Sequence, residues 1–151
     1  IVEIIVGFPG ETDELFNETL RFLSETNISY IRTTVYTAKI GTKAFGTFHG
    51  TVSKSLKNKR KKILLELSKR KLHTFYESQL GKEKYVLFEN KIKKGYLYGY
   101  TNNGVKVKIV WNSKLGNTLH KVKLSGIKGS IMLFEFLESE SFIENSNPTM
   151  I

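Results

Sequence analysis

The sequence of 151 residues contains no cysteine, only two prolines and a single tryptophan. Without cysteine the chain has no disulfide bond, no thiol nucleophile and no thiolate ligand for zinc or an iron–sulfur cluster. No stretch approaches the roughly 18 uninterrupted apolar residues of a membrane-spanning helix. Hydrophobic residues make up 40% of the chain and charged residues 25%, which excludes the disordered and collagen-like classes.

The first residues lack the features of a natural N-terminus. Residues 1–6, Ile-Val-Glu-Ile-Ile-Val, have no initiator methionine and no basic-then-apolar layout of a secretion signal. They are typical of the middle of a buried strand. We therefore expect the sequence to be a piece of a longer protein.

The whole chain has 24 Lys and Arg against 14 Asp and Glu. The positive charge is concentrated in its second half. Residues 1–52 have four basic and six acidic side chains, a net charge of −2, and residues 137–151 add three Glu. Residues 53–80 have nine against two, giving +7, and residues 81–136 have eleven against three, giving +8. Lysine-rich surfaces favour polyanions, because neutralising phosphates releases counterions. For 53–80 a merely solvated surface is an equal alternative, whereas for 81–136 anion binding is favoured.

Residues 1–36 predict a βαβ unit. An apolar strand at residues 4–6 precedes a Gly-Phe-Pro-Gly turn, and Thr12 is the expected N-cap of a helix that ends at Asn27. Residues 30–36 are β-branched and aromatic, which predicts a second strand, parallel to the first. One such unit cannot cover a parallel sheet on both faces. We therefore expect the exposed parallel strands near Ile5 and Val35 to make the isolated chain dimerise or pack against its own barrel.

The rest of the chain predicts a loop, a helix and a small barrel. Residues 37–52 are rich in Gly and Thr, Ser53 opens a long helix, and Gly81 ends it. After Gly81 the hydrophobic period becomes two, which predicts a five-stranded antiparallel barrel of the oligonucleotide-binding type, and hence an α+β fold. The expected strands are 84–89, 95–101, 105–110, 121–124 and 130–136. Residues 138–151 are expected to be disordered.

The predicted barrel contains the pattern of an RNA-binding surface. Alternation with valine, isoleucine and leucine directs four lysines outward, and three tyrosines share one side of the second strand. Rings stack on unpaired bases while ammonium groups contact phosphates. The expected phosphate contacts are Lys106, Lys108, Lys121 and Lys123, and the expected base contacts are Tyr98 and Tyr100. The alternative is a core position, which we favour for at least one of Tyr96, Tyr98 and Tyr100 because two glycines lie opposite.

Signals for catalysis are few. His49, His73 and His120 lie far apart without metal-ligand spacing, and no nucleophile elbow or phosphate-binding loop is present. A non-enzymatic RNA-binding protein, complete as written, therefore remains open.

Five segments in unbroken order over residues 1–136 resemble the C-terminal part of radical S-adenosylmethionine tRNA methylthiotransferases. Residues 5–12, Ile-Val-Gly-Phe-Pro-Gly-Glu-Thr, resemble a late strand and turn of the radical barrel, and residues 36–42 are similar to a Tyr-Ser-x-Arg-x-Gly-Thr motif that follows. Residues 75–82 resemble the end of the linker helix. Residues 99–108 resemble the TRAM domain, an RNA-binding barrel, and residues 119–124 favour the threonylcarbamoyladenosine branch.

This resemblance implies an enzyme that uses S-adenosylmethionine and two 4Fe-4S clusters to insert a methylthio group beside the tRNA anticodon. The cluster cysteines would lie outside these residues, so we expect this piece to bind no cofactor and to be inactive alone. The expected cofactor contacts are Gly7, Phe8, Pro9, Gly10 and Tyr36. The implied domains are 1–52, a barrel remnant; 53–80, a basic linker helix; 81–137, the TRAM barrel; and the tail.

The implied partner is the tRNA anticodon stem-loop, in the cytoplasm and without a membrane. The open alternatives are the isopentenyladenosine branch, the branch that modifies a ribosomal protein, and the non-enzymatic protein above.

Overall fold

The computed structural model describes residues 1–47 and 50–137. Two compact units are distinguished, the first spanning Ile1–Phe75 and the second beginning at Tyr76. His49 and the expected disordered tail, 138–151, lie outside the described residues. Within the described part, no helix is both long enough and apolar enough to cross a membrane.

The first unit contains the predicted βαβ arrangement. Strand β1 (Val2–Val6) pairs in parallel with β2 (Ile31–Val35), and helix α1 (Asp13–Glu25) connects them. The hydroxyl of Thr12 accepts a hydrogen bond from the Leu15 N–H, which confirms the predicted N-cap. The helix ends at Glu25, two residues before the predicted end.

Two boundaries in the first unit differ from the prediction. A short helix, α2 (Lys43–Thr47), lies within the predicted loop, since Lys-Ala-Phe favours helix between the glycines that dominated the prediction. Helix α3 (Lys54–Glu77) starts one residue late and ends three residues early. Its last turn tightens through bonds from the Gln79 N–H to the Tyr76 carbonyl and from the Leu80 N–H to the Glu77 carbonyl.

One side of the two-stranded sheet is buried and the other is exposed. The buried core joins the sheet to α1 and α3 and comprises Val6, Phe16, Leu23, Ile31, Leu64 and Leu67. On the opposite side Ile5 is 57% exposed. The exposed side agrees with the inference that a lone βαβ unit covers one face only.

The second unit is a closed barrel of five strands. They are β3 (Glu83–Phe88), β4 (Tyr96–Thr101), β5 (Lys106–Val110), β6 (Leu119–Lys128) and β7 (Ile131–Phe136), in the order β3-β4-β5-β7-β6. The predicted small five-stranded barrel is confirmed; four of its neighbouring strand pairs are antiparallel, and β5 and β7 pair in parallel through Val107 and Met132, so the barrel is mixed. A ring with an odd number of strands cannot alternate direction throughout, so at least one neighbouring pair must be parallel.

Strand β6 is longer than predicted. It continues through Gly126, where the pairing with β7 shifts register between Leu124 and Gly126. A bulge at glycine lets a strand bend without ending, so Gly126 marks a kink and the strand continues past its predicted end at residue 124. The turn itself is confined to Gly129, at φ +61°, and Ser130.

The barrel interior is apolar and places the tyrosines outside. Fully buried side chains include Val86, Phe88, Leu97, Val107, Val122, Leu124 and Met132. Leu97 and Gly99 point inward, so the expectation of a core tyrosine among Tyr96, Tyr98 and Tyr100 is wrong. A Cβ on Gly99 would lie 2.5 Å from Val86 Cγ1 and 2.9 Å from Phe88 Cδ1, because neighbouring core side chains fill the space that the glycine leaves.

Candidate nucleic-acid interface

Tyrosines and lysines alternate across strands β4 and β5 on the outside of the barrel. Tyr98 lies opposite Lys108, and Tyr100 lies opposite Lys106. The Lys106 Nζ is 4.5 Å from the ring centroid of Tyr98 and 5.9 Å from that of Tyr100. The Lys108 Nζ is 4.5 Å from the Tyr96 ring centroid. These distances are those of cation–π contacts, so ammonium groups and rings form one surface.

The second predicted lysine pair lies on β6, which pairs with β3. Lys121 is opposite Tyr85 and Lys123 is opposite Glu83. The Lys121 Nζ also forms an ion pair with Glu83 Oε2 at 2.8 Å. The hydrogen bond from Lys121, with its positive charge, lowers the pKa of the Glu83 carboxyl. Lys123 is exposed, whereas Lys121 must exchange a carboxylate for a phosphate in order to bind RNA.

Sequence reasoning missed three apolar side chains between the two lysine pairs. Tyr85, Leu87 and Leu119 are 54%, 53% and 59% exposed. Leu87 lies opposite Leu119 on one side and opposite Tyr100 on the other, so the row is continuous across β6, β3 and β4. The alternation of side chains along β3, which directs Tyr85 and Leu87 outward, could have identified them from the sequence. Strands β6, β3, β4 and β5 share one surface, which we call the cationic-aromatic face and which comprises Tyr85, Leu87, Tyr96, Tyr98, Tyr100, Lys106, Lys108, Leu119, Lys121 and Lys123.

The last turn of α3 supports this face from within the second unit. The Tyr76 hydroxyl accepts a hydrogen bond from the Lys106 N–H at 3.2 Å and donates to the Ser130 carbonyl at 3.3 Å. Burial raises the pKa of this hydroxyl. Tyr76 is 2% exposed. Its hydrogen bond with the Lys106 N–H therefore fixes the start of β5, the strand that contains two of the predicted phosphate contacts.

Side-chain hydrogen bonds also fix the connection between β4 and β5. The Thr101 hydroxyl donates to Asn103 Oδ1 at 2.6 Å and accepts from the Val105 N–H at 2.9 Å. The Asn103 amide donates to Gln79 Oε1 at 3.1 Å. The tight turn uses Gly104 at φ +84°, a conformation that glycine adopts without strain.

In the first unit the predicted cofactor residues meet at the carboxyl edge of the parallel sheet. The turn 7–10 follows β1, and Tyr36 follows β2, with the Tyr36 N–H donating to the Val6 carbonyl at 2.8 Å. The rings of Phe8 and Tyr36 pack edge to face with centroids 5.0 Å apart. The structure therefore brings together Phe8 and Tyr36, which are 28 residues apart in sequence.

Gly7 permits a close approach, and the approaching group is a lysine of the same chain. Gly7 has φ +75°, and a Cβ there would clash with Lys57 Cγ. The Lys57 Nζ donates to the Tyr36 carbonyl at 3.1 Å and lies 5.3 Å from the Tyr36 ring centroid. The Gly10 N–H is bonded to the Gly50 carbonyl at 2.9 Å. The turn at residues 7–10 is thus fixed by contacts within the first unit.

Sequence reasoning also missed the buried arginine of α3. Arg60 is 2% exposed, and its Nη1 lies 2.6 Å from Glu11 Oε1 while its Nη2 lies 2.8 Å from Asp13 Oδ1. Burial acts to lower the Arg60 pKa, but the hydrogen bond to Asp13 and the charge of Glu11 outweigh it, so the pKa is raised. The other carboxylate oxygen of Glu11 accepts the Gly7 N–H at 2.9 Å. The spacing of Arg60 from Leu64 and Leu67 was the available signal.

The implied cofactors can be tested against these residues. The chain has no cysteine, and within residues 1–47 and 50–137 no group of three His, Asp or Glu side chains is arranged to hold a metal ion, so these residues do not fit an iron–sulfur cluster. The rings of Phe8 and Tyr36 offer an edge on which an aromatic ligand such as adenine can pack. The buried Tyr36 hydroxyl has no hydrogen-bond partner among the described residues, so it is available to bond with such a ligand. A surface hollow of about 460 Å³, lined by Tyr36, Lys57 and Asn58 among others, adjoins it.

Comparison with known proteins identifies the family. No protein-family model matches the chain. The tRNA-2-methylthio-N(6)-dimethylallyladenosine synthase of Petrotoga mobilis is 34% identical over 126 residues, which cover 83% of this chain and 29% of that protein. The threonylcarbamoyladenosine tRNA methylthiotransferase MtaB of Thermotoga maritima is 34% identical over 125 residues, covering 83% and 28%. The MtaB of Bacillus subtilis is 32% identical over 135 residues, covering 81% and 28%.

The chain thus spans less than a third of the length of these curated relatives, which include both kinds of adenosine specificity. The order of the motifs and the length of the matches agree, and the chain belongs to the tRNA methylthiotransferase family.

Proposed function

We propose that this chain is the tRNA-binding, C-terminal part of a cytoplasmic methylthiotransferase that modifies threonylcarbamoyladenosine beside the anticodon. The observation that carries the proposal is the position of the Lys106 ammonium, which lies over Tyr98 and Tyr100 on the outside of the barrel. Single-stranded RNA is bound by aromatic rings, on which its bases stack, next to lysine ammonium groups, which contact its phosphates. The relatives named above supply the tRNA substrate class.

On the cationic-aromatic face the two lysine pairs have different roles. Lys106 and Lys108 contact phosphates next to bases stacked on Tyr98 and Tyr100. Lys121 and Lys123 contact the RNA on the other side of the row formed by Leu87 and Leu119. Lysine is suited to this role because its ammonium is a flexible point charge that follows a backbone without reading sequence.

In the first unit we propose that Gly7, Phe8, Pro9, Gly10 and Tyr36 contact the adenine side of S-adenosylmethionine. When bound to an iron–sulfur cluster, S-adenosylmethionine supplies the radical chemistry of the complete enzyme. The residues of this chain orient the adenine against the Phe8–Tyr36 edge and exclude water there. Because the chain has no thiolate for a cluster, we propose that it is inactive alone.

A binding experiment tests the RNA-binding role. Fluorescence anisotropy with a labelled tRNA anticodon stem-loop compares the full chain, a double variant Lys106→Glu with Lys108→Glu, and the control Lys128→Glu, which changes the net charge by half as much. Lys128 is exposed at the end of β6, where it lies opposite Ile131 of β7, and it is not one of the residues of the cationic-aromatic face. We expect the double variant to lose on the order of tenfold in affinity, and the slope of log K against log salt to fall by about 1.5.

If the double variant loses no more than twice the binding free energy that Lys128→Glu loses, the assignment is contradicted, because that ratio is what net charge alone predicts. A salt-independent affinity for the stem-loop would contradict phosphate binding altogether.

The nucleoside specificity needs a separate experiment, because relatives named for dimethylallyladenosine match the chain as well as those named for threonylcarbamoyladenosine. Mass spectrometry of tRNA nucleosides from a deletion strain distinguishes the possibilities. We expect 2-methylthio-threonylcarbamoyladenosine to disappear. Loss of the isopentenyl product instead would assign the sister branch, and no loss would favour the ribosomal-protein branch or a non-enzymatic RNA-binding protein.

We also propose that the isolated chain dimerises through the exposed side of its parallel sheet, where Ile5 is 57% exposed. An apolar side chain in an uncovered sheet favours association. Light scattering after gel filtration is expected to give twice the monomer mass, and Ile5→Lys is expected to return it to a monomer. A monomeric parent chain would contradict this proposal.

A further inference from the structure

A cleft of about 170 Å³ lies on the outside of the barrel where β3 leads towards β4. Its lining residues are Glu89, Lys91, Lys93, Tyr98, Tyr100 and Lys106. Glu89 directly follows β3, and its N–H donates to the Tyr98 carbonyl at 2.8 Å. Glu89 continues the outward phase of Tyr85 and Leu87, so its side chain is the cross-strand neighbour of the Tyr98 ring.

Glu89 does not suit a cleft that binds phosphate alone. Its side chain is exposed and, among the residues that the structure describes, forms no ion pair, although three lysines line the same cleft. At neutral pH a carboxylate only accepts hydrogen bonds, and it repels phosphate. A ligand that suits both the lysines and Glu89 must therefore combine phosphate with N–H donors.

We propose that this cleft binds one unstacked RNA nucleotide and that Glu89 selects guanine as its base. The inference rests on the proposed RNA-binding function and assigns a specificity to part of that surface. Guanine presents N1–H and N2–H side by side, which match the two oxygens of a carboxylate. Adenine and cytosine each present one amino group, and uracil flanks its single N–H with carbonyl oxygens that a carboxylate repels.

The other lining residues complete the recognition of a guanine nucleotide. The Lys106 ammonium, beside the Tyr98 ring, is placed to donate to guanine O6, a common partner of lysine. The tyrosine rings provide a stacking surface that any base can use. Lys91 and Lys93 neutralise the flanking phosphates. Only Glu89 distinguishes between bases on the edge that carries N–H groups.

The test measures discrimination between bases as well as affinity. Fluorescence anisotropy with the full chain compares three labelled hexanucleotides: six uridines, the same with one guanosine, and the same with one inosine, which lacks the N2 amine. We expect the guanosine strand to bind about tenfold more tightly than the uridine strand, with inosine between them. In Glu89→Gln we expect this ratio to fall to about one, with uridine affinity unchanged or higher because a repulsive charge is removed.

Glu135→Gln is the matched control, because it removes the same charge from an exposed position on β7. It is expected to shift all three affinities equally and to keep the guanosine preference. If Glu89→Gln also shifts all three equally, or if the parent chain binds the three strands alike, RNA binding stands and the guanine assignment is overturned. If no strand binds, the proposed RNA-binding function fails, and the inference fails with it.

Discussion

Replacing Arg60 tests whether the buried ion pair stabilises the turn between β1 and α1. Arg60→Met keeps a long apolar side chain in the core but removes the guanidinium, whose Cζ also lies 5.4 Å from the Phe16 ring centroid. Glu11 then loses its charged partner while its side chain is only 16% exposed. Removing one member of a buried pair costs about 3–5 kcal/mol, because the remaining charge is left without compensation.

We expect a loss near the lower limit, about 3 kcal/mol in the free energy of unfolding of the first unit, because Glu11 keeps the Gly7 N–H and some water. Asp13 contributes little to this value, since its side chain is 73% exposed and water screens the attraction. Asp13→Asn is therefore expected to cost no more than about 0.5 kcal/mol. The double variant Arg60→Met with Glu11→Gln should cost less than the sum of the single changes, because neither charge remains.

The assay is urea unfolding followed by circular dichroism at 222 nm, because α1, α2 and nearly all of α3 belong to the first unit. The fluorescence of Trp111, the single tryptophan, reports on the second unit and serves as an internal control. A loss below 1 kcal/mol in Arg60→Met, or strict additivity in the double variant, would refute the reasoning.

Three further outcomes follow from the barrel. Tyr76→Phe leaves the Lys106 N–H without its partner and should lower the free energy of unfolding by about 1–2 kcal/mol, measured by urea denaturation with Trp111 fluorescence. Gly99→Ala inserts a methyl group against Val86 and should cost about 1–3 kcal/mol in the same assay, whereas wild-type stability would disprove the contact.

The third outcome concerns pH. The folded pKa of Glu83 lies below its ordinary value of 4.5, so its pairing with Lys121 stabilises the fold above that pH and loses its effect as the pH falls through the lower folded value. Lys121→Gln should raise the pKa of Glu83, which carbon NMR of the carboxyl group can follow.

Periodicity in the sequence predicted which side chains of the barrel face inward where the strand is regular. Val105 and Val107 are fully buried and Lys108 is exposed, as the alternation indicates. The side occupied by the tyrosines of β4 could not be read in this way, because glycine opposite a ring is compatible with either orientation. The core side chains of β3 that fill the space beside Gly99 decide the orientation, and they are non-local.

The candidate site was predictable in its residue types but not in its pairings. Local sequence identifies lysines and tyrosines, but not that the Lys106 ammonium lies over two rings or that Lys121 is paired with Glu83. Arg60 was hidden among the other basic residues of its helix, because its burial depends on carboxylates 47 and 49 residues away in sequence. The spacing of Arg60 from Leu64 and Leu67 indicates its side of the helix, but not which carboxylates pair with it.

Closure of the ring through β7 has a consequence for biosynthesis. The strand that pairs with both β5 and β6 is the last of the five to be made, and residues 131–136 must leave the ribosome before either partner gains its second neighbour. Until then the nascent chain presents two uncompleted backbone edges, which are sites for mispairing with other chains. Release from the exit tunnel, rather than collapse of the earlier hairpin, is therefore expected to set the moment at which this unit becomes protease-resistant.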